Sequence, residues 1–183
     1  MVERKHLKGE KGFTLVEVLV VAGIIAILAG ILVPLILKEI DESRVSRAYG
    51  DIRSISAAIL VFKKDTGQWP DMDANCQHTV TLLRGVGSMP QDFAAKNFSN
   101  AVESTYNDHL VSAQASNCYQ NWKGAYIAWV TADPWGNSYI TNADAFRNDT
   151  GPIWILSAGP NGIVDTPSNN DQLMNDDIGL RLR

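Results

Sequence analysis

The stretch GFTLVEVLVVAGIIAILAGILVPLIL, residues 12–37, is the most informative part of this 183-residue chain. Apart from one threonine and one glutamate, the residues that follow Gly12 are apolar. A helix of about 20 apolar residues spans the hydrocarbon core of a bilayer, so residues 13–37 are predicted to form a transmembrane helix. The apolar region of a cleaved secretory signal is typically about 7–15 residues, which fits this run less well, and a plain signal anchor is a further alternative.

The glutamate inside this run, Glu17, needs a physical reason, because a charge at the bilayer centre costs about 2.5–3.5 kcal/mol on insertion scales. If the chain is cut after Gly12, Glu17 lies one turn from a new helix N-terminus, where a carboxylate suits the helix dipole. It can then attract the free amine of Phe13 in a neighbouring copy, if copies pack side by side with a stagger. The alternative is a glutamate that snorkels to the membrane edge and has no further role.

The apolar run continues into a charged but periodic segment, residues 38–65. Its apolar residues are spaced three or four apart and line one helical face: Val45, Ala48, Ile52, Ile55, Ile59 and Phe62. Gly67 is a suitable C-cap and Pro70 prevents the helix from resuming. We therefore expect one helix from Thr14 to Lys64, about 75 Å long at 1.5 Å per residue, whose second half needs a globular partner.

The rest of the chain is rich in turn-forming residues and short strand patterns. Strands are predicted at Asn137–Thr141 and Ile153–Ser157, joined by a polar hairpin loop. The expected fold class is α+β, with the long helix packed against a small antiparallel sheet and a C-terminal loop. Trp129, Tyr139 and Trp154 are expected to fill the core between the helix and the sheet.

The composition excludes several function classes. A net charge of −4 does not favour nucleic-acid binding, which requires a basic face. The two cysteines do not form a CxxC pair, and no two of the three histidines have metal-ligand spacing. Because nucleophile-elbow, P-loop and Rossmann glycine patterns are also absent, the chain is predicted not to be an enzyme.

The N-terminal sequence KGFTLVEVLVVAGIIAIL, residues 11–28, resembles the class III signal of type IV pilins and pseudopilins. The resemblance implies that a prepilin peptidase cuts between Gly12 and Phe13 and methylates the new N-terminus. It also implies that residues 1–12 are a leader peptide. Glu17 and Pro34 match the family's conserved glutamate and helix-kinking proline, and are therefore expected to act in assembly together with Phe13.

The later motifs GQWP, WKGAYI, DPWGNSYI and WILSAGPNGIVDT followed by NDDIG are similar to those of the major pseudopilin of type II secretion systems. The resemblance covers residues 9–70 and 121–180. Residues 71–120 are unlike the usual shorter connector and are interpreted as a variable insertion within a globular domain, residues 38–183.

This resemblance implies a subunit that crosses the bacterial inner membrane once and carries its globular domain in the periplasm. Copies are expected to polymerise into a short periplasmic filament that drives protein export. The implied partners are other copies, minor pseudopilins, the prepilin peptidase and an inner-membrane assembly platform. A type IV pilin of a surface filament for adhesion or motility is the alternative, and a membrane-tethered binding protein that never assembles is a third class.

A short acidic stretch near the C-terminus contains candidate ligands for Ca²⁺, which prefers oxygen donors in flexible loops. The resemblance implies one Ca²⁺ in this loop. We predict a site that uses Asn161, Asp165, Asp176 and Asp177. Asn161 stands where the family has an aspartate, so weaker binding is expected. The alternative is an ordinary solvated acidic loop.

Cys76 and Cys118 bracket the insertion. After translocation they face an oxidising compartment, where two thiols favour a disulfide. Such a bond would stabilise the fold by about 4 kcal/mol in the chain-entropy model. Two unpaired buried thiols are the alternative.

Overall fold

The computed structural model of the chain describes residues 12–112, 118–148 and 151–183. The chain separates into two units, Met1–Glu42 and Ser43–Arg183. Helix α1, Leu15–Thr66, contains 52 residues and continues through Pro34. The predicted long helix is therefore confirmed. The predicted leader, apart from Gly12, lies outside the described residues.

The N-terminal half of α1 is apolar and uncovered. Residues 12–44 are all exposed. The helix contains a window with a mean hydropathy of 3.0, none of which is buried within the chain. By length and composition this helix can cross a membrane.

The C-terminal half of α1 buries one stripe in the globular unit. The buried apolar side chains of this half recur at helical spacing: Ala48, Ile52, Ile55, Ala58, Ile59 and Phe62. Val45 is partly buried against the same cluster. The periodicity that predicted a face in need of a partner is confirmed.

A five-stranded sheet forms the other main element of the globular unit, in the order β2-β1-β3-β4-β5. The strands are β1 Leu82–Arg84, β2 Glu103–Thr105, β3 Ile140–Asn142, β4 Trp154–Ser157 and β5 Ile178–Arg181. Helix α2, Tyr106–Leu110, follows β2, and a 3₁₀ helix, Ala143–Phe146, follows β3. The β1–β2 pair is parallel and the other three pairs are antiparallel. The sheet is thus mixed, whereas an antiparallel sheet was expected.

The two faces of the sheet bury different clusters. Leu83 and Ile155 belong to the cluster that also contains the buried stripe of α1. Their neighbours along the strands point the opposite way, as the period of two requires. Those neighbours form a second cluster with Phe98: Leu82, Ile140, Trp154 and Leu156.

The three aromatic residues expected between helix and sheet have three different positions. Tyr139 is buried in the first cluster, and Trp154 is buried in the second. The prediction for Trp129 is wrong, because its side chain is 57% exposed. The adjacent Val130 is the residue that points inward: it is 3% exposed, and its N–H donates to Asn107 Oδ1 at 3.0 Å. In an extended segment neighbouring side chains alternate, so Trp129 faces outward.

The segment of residues 71–120 is part of the core. It supplies β1, β2 and α2, and it buries Tyr106, Leu110 and Tyr119 beside α1. Its interpretation as a variable insertion did not anticipate this role in the core. The reason is that three-residue strands carry almost no periodic signal in the sequence.

Candidate assembly site and acidic loop

Three of the residues predicted to act in processing and assembly, Gly12, Phe13 and Glu17, lie at or near the start of α1. Gly12 and Phe13 precede the helix, and Phe13 is 88% exposed. The bond between them is therefore accessible and lies outside regular secondary structure. A peptidase needs an extended and accessible backbone of this kind.

Glu17 caps the helix in which it lies. The backbone N–H and the hydroxyl of Thr14 both donate to Glu17 Oε2, at 2.8 and 2.9 Å. The N–H of Glu17 donates back to Thr14 Oγ1 at 3.2 Å. This reciprocal arrangement is a capping box, which satisfies N–H groups that the first helical turn leaves unpaired. The sequence reasoning missed Thr14, although the Thr-x-x-Glu spacing was readable.

The capping box uses only one oxygen of the carboxylate. Within the described part of the chain, Glu17 Oε1 has no hydrogen-bond partner. The carboxylate is thus held in a fixed direction by its own chain and retains an acceptor for a further donor. Removing the charge would cost the helix a cap as well as any contact with a neighbour.

Pro34 interrupts the hydrogen bonding of α1 without ending the helix. Proline has no N–H, so the bond that position 34 would make to the carbonyl four residues earlier is missing. That residue is Gly30. The helix is locally weaker here than in its other turns.

The acidic C-terminal loop is organised around an amide. The backbone N–H of Asn161 donates to Asp176 Oδ2 at 3.0 Å. The side-chain amide nitrogen of Asn161 donates to Asp176 Oδ1 at 2.6 Å and faces Asp165 Oδ2 at 3.4 Å. The N–H of Ile163 donates to Asn161 Oδ1 at 2.7 Å, which fixes the orientation of the amide. Asn161 therefore bridges two carboxylates that would otherwise repel each other.

Asp177 connects the same loop to β5. Its Oδ2 accepts the N–H groups of Asp165 and Thr166 at 2.9 and 2.6 Å. Its Oδ1 is buried and has no partner among the described residues. Burial raises the pKa of the Asp177 carboxyl, while the bonds from Thr166 and Asp165 act in the opposite direction. A buried carboxylate oxygen without a partner is unusual, because such atoms normally bind a cation, a water molecule or a proton.

Two family models match the chain. The prokaryotic N-terminal methylation motif matches residues 7–33, and type II secretion system protein G matches residues 102–176. The chain is thus similar to type II secretion system protein G over residues 102–176 and carries the N-terminal methylation motif. The second match contains three of the five strands, β2, β3 and β4, and it includes the acidic loop up to Asp176.

Curated relatives extend the similarity over most of the chain. The type II secretion system core protein G of Pseudomonas aeruginosa PAO1 is 29% identical over 163 residues, which are 88% of this chain and 91% of the relative. The proteins of the same name from Escherichia coli K12 and Vibrio cholerae O1 are each 27% identical, with 86% of both chains covered. No solved structure matches the chain significantly.

The structure brings the predicted Ca²⁺ ligands only partly together. The Asn161 amide contacts both Asp165 and Asp176, and Asp177 accepts the backbone N–H of Asp165. Asp171, an acidic residue of the same loop that is not among the predicted ligands, pairs with Arg181 at 2.7 Å. Within residues 12–112, 118–148 and 151–183, no group of three or more His, Cys, Asp or Glu side chains is arranged to hold a metal.

The sequence reasoning also missed the residue that lets the acidic loop close. Gly159 has φ of +64°, and a Cβ there would collide with the backbone carbonyl oxygen of Asp176. A larger residue would therefore push Asp176 away from Asn161. The SAGPNG motif contained this glycine, but the close approach depends on a segment distant in the sequence.

The predicted disulfide between Cys76 and Cys118 is present, with the two Cα atoms 5.0 Å apart. It lies next to Tyr119, whose ring packs edge-on against Phe62 at 4.8 Å. The hydroxyl of Tyr119 accepts the N–H of Met72 at 2.8 Å. The bond therefore holds a buried aromatic against α1 as well as closing the insertion.

Proposed function

We propose that this chain is the major, filament-forming subunit of a type II secretion pseudopilus. The observation that carries the proposal is that every residue of the apolar half of α1 is exposed, in a chain whose other unit has its own core. Such a surface needs lipid before assembly and other subunits afterwards. The similarity to type II secretion system protein G supports a secretion system as the setting in which this happens. None of these observations favours the surface pilin considered above.

In the proposed pathway the chain first enters the inner membrane, with the globular unit on the periplasmic side. The prepilin peptidase then cuts after Gly12 and methylates Phe13. The new amine lies close to the helix start, where Oε1 of Glu17 in a neighbouring subunit is an available acceptor. In an apolar surrounding a carboxylate–amine contact is much stronger than in water, so it can set the stagger between subunits.

Assembly then replaces lipid contacts with subunit contacts along the apolar half of α1. Lipid tails are as apolar as leucine, so the gain comes from packing and from paired polar groups rather than from the hydrophobic effect. We infer that minor pseudopilins and an inner-membrane assembly platform initiate this step. The role is structural, and the proposal assigns no catalysis to the chain.

The experiment is a deletion strain complemented with full-length variants. Wild-type chain should restore both secretion and filaments visible by electron microscopy, and mass spectrometry should find methyl-Phe13 at the mature N-terminus. Glu17→Ala should be inserted and processed but should not form filaments. Glu39→Ala, an exposed glutamate of the same helix, is the matched control and should behave as wild type. Secretion that persists without this chain would exclude the proposed role.

We further propose that the acidic loop binds Ca²⁺ through oxygens of Asp165 and Asp176, with Asn161 and Asp177 completing the site. The unpaired buried oxygen of Asp177 and the two carboxylates that share the Asn161 amide support this proposal. The Asn161 amide occupies the position between the carboxylates, so a cation has to displace one of its hydrogen bonds. Binding should therefore be weak, near the about 10⁻⁴–10⁻³ M typical of extracellular sites.

Calcium binding can be tested on the full-length protein in detergent. Ca²⁺ at a concentration of about 100 times Kd would stabilise the folded protein by about 2.7 kcal/mol. The Tm in Ca²⁺ should therefore be higher than in chelator or in the same concentration of Mg²⁺. Asp176→Ala combined with Asp177→Ala should remove the difference between Ca²⁺ and chelator. Asp171→Asn, in the same loop but paired with Arg181, should retain it. Identical melting of the wild-type protein in Ca²⁺ and chelator would exclude the site.

A further inference from the structure

A groove runs along one side of α1 in the globular unit. It lies between the helix and the loop of residues 123–131 and comprises two neighbouring cavities of about 200 and 370 Å³. Both cavities are lined by Ser54. We call this surface the flank groove and define it by Asp51, Ser54, Ala57, Val61, Tyr126 and Trp129.

The flank groove exposes apolar side chains that the unit leaves uncovered. Trp129 is 57% exposed and Val61 is 47% exposed. Trp129 is held in this direction by its neighbour Val130, which is buried and hydrogen-bonded to Asn107. Exposed apolar patches mark interaction sites, and tryptophan is among the residues that most often anchor them.

The helical wall of the groove is made of small side chains. Ser54, Ala57, Ala58 and Val61 recur at intervals of three and four and so share one side of α1. Small side chains allow a second helix to approach closely, and amphipathic helices commonly dock in such grooves. The groove therefore fits a helix better than it fits a flat surface.

A different stripe of α1 offers a complementary set. At about 100° per residue, Tyr49, Arg53 and Leu60 lie within about 40° of one another, on the other side of the buried stripe. Tyr49 is 41% and Leu60 is 47% exposed. Arg53 is exposed and has no ion-pair partner among the described residues. We call this stripe the ridge.

We propose that the flank groove receives the ridge of a second copy of this chain, which rests on the proposed function because it requires polymerisation. The Arg53 guanidinium of the second copy would lie over the ring of Trp129, because cations are attracted to the faces of indole rings. Its positive charge would then also lie near Asp51, which lines the same cavity as Trp129. Tyr49 and Leu60 supply apolar contacts to the small-residue wall. Asp51 already pairs with Arg47 at 3.6 Å, so the ring contact is the main charge recognition.

The arrangement of the two surfaces also accounts for open-ended growth. The groove and the ridge occupy different stripes of the same helix, so one copy can use both at once. A contact between two different surfaces is heterologous and propagates into a filament unless its rotation closes a ring. Both partners are helices of the same chain, so all copies can keep the same polarity.

The first test replaces the anchor in the full-length chain, in cells that contain the prepilin peptidase. Trp129→Ala should reduce sheared filaments by about tenfold or more, and Trp129→Phe should recover part of the loss. Arg53→Gln should also reduce filaments, while Arg53→Lys should keep more of them because it retains the cation. Met174→Ala, which alters another large side chain that is 45% exposed, should have no effect.

The second test asks whether the two surfaces meet between copies. Trp129→Cys together with Arg53→Cys in one chain should give a ladder of disulfide-linked multimers on non-reducing gels. Met174→Cys with Arg53→Cys should not. The Tm of Trp129→Ala in detergent should equal that of the wild type, which separates an interface effect from misfolding.

The outcomes distinguish this inference from the proposed function. If the wild-type chain forms no filaments, the proposed function fails. Suppose instead that the wild-type chain forms filaments, that Trp129→Ala forms as many, and that the cysteine pair gives no ladder. The groove–ridge contact is then overturned, while the pseudopilus role stands.

Discussion

The two halves of α1 are built from one continuous helix but have opposite relations to the rest of the chain. The half before Leu37 is exposed on every side, and the half after Ser43 buries a stripe against the sheet. Changes in the first half should therefore alter assembly with little effect on folding. Changes on the buried stripe of the second half should alter folding.

The largest expected difference is between Phe62→Ala and Leu28→Ala. Phe62 is fully buried against Tyr119 and Tyr126, so its truncation should cost about 3–5 kcal/mol. Leu28 is 52% exposed and should change the free energy of unfolding by less than about 0.5 kcal/mol in detergent. Denaturant titration of both full-length variants checks this contrast, and equal losses would mean that the first half contributes to the folded core.

The next largest effect should be a loss of folding stability at low pH, and it should arise in the globular unit that contains the second half of α1. His109 is buried, with Nδ1 at 3.1 Å from the hydroxyl of Tyr119, the residue that covers Phe62. Desolvation by burial lowers the pKa of His109 to about 4. The folded state therefore holds the neutral imidazole, whereas the unfolded state binds a proton near its ordinary pKa of about 6.5.

The sign of the pH dependence follows from these two values. The contribution of His109 is fully present above about pH 6.5 and is lost as the pH falls toward about 4, by about 3 kcal/mol in total. Free energies of unfolding measured across this range should show the loss. The His109→Gln variant should have a lower free energy of unfolding at neutral pH, but that free energy should fall less on acidification than in the wild type. An unchanged slope in that variant would assign the acid sensitivity to other groups.

A smaller effect should appear at the start of the first half. Thr14→Ala removes one side of the capping box with Glu17 and should weaken the first helical turn by about 1 kcal/mol. Amide hydrogen exchange in detergent should increase in that turn only, while the Tm of the globular unit stays unchanged. Thr14→Ser preserves the hydroxyl and should exchange as the wild type does. Faster exchange throughout the second half would contradict the separation of the two halves.

The sequence was most informative where structure depends on near neighbours. The apolar run, the three-and-four spacing from Val45 to Phe62 and the end of the helix before Gly67 are all local patterns. Each predicted what the structure contains. Strand β4 was also close to its predicted range, because Trp154–Ser157 is a compact apolar segment.

The acidic loop shows the limit of this reasoning. Its residue types identified Asn161, Asp165, Asp176 and Asp177 as candidate ligands, but they did not indicate that the Asn161 amide would bridge two carboxylates. Nor did they show that Gly159 must be small because Asp176 passes over it. Both features depend on the segment around Asp176 packing back against residues 159–161, and no local sequence pattern predicts that contact.

What the sequence determined by itself was the long helix, its apolar first half and the processing signal, because each depends on the order of residues within a few turns. Only the tertiary structure decided that residues 71–120 supply β1 and β2, that these strands pair in parallel and that Trp129 faces outward. The reason is that strand pairing and the direction of a loop side chain are set by contacts between distant segments. The exposed tryptophan, wrongly expected in the core, is for that reason the residue that points to a second copy of the chain.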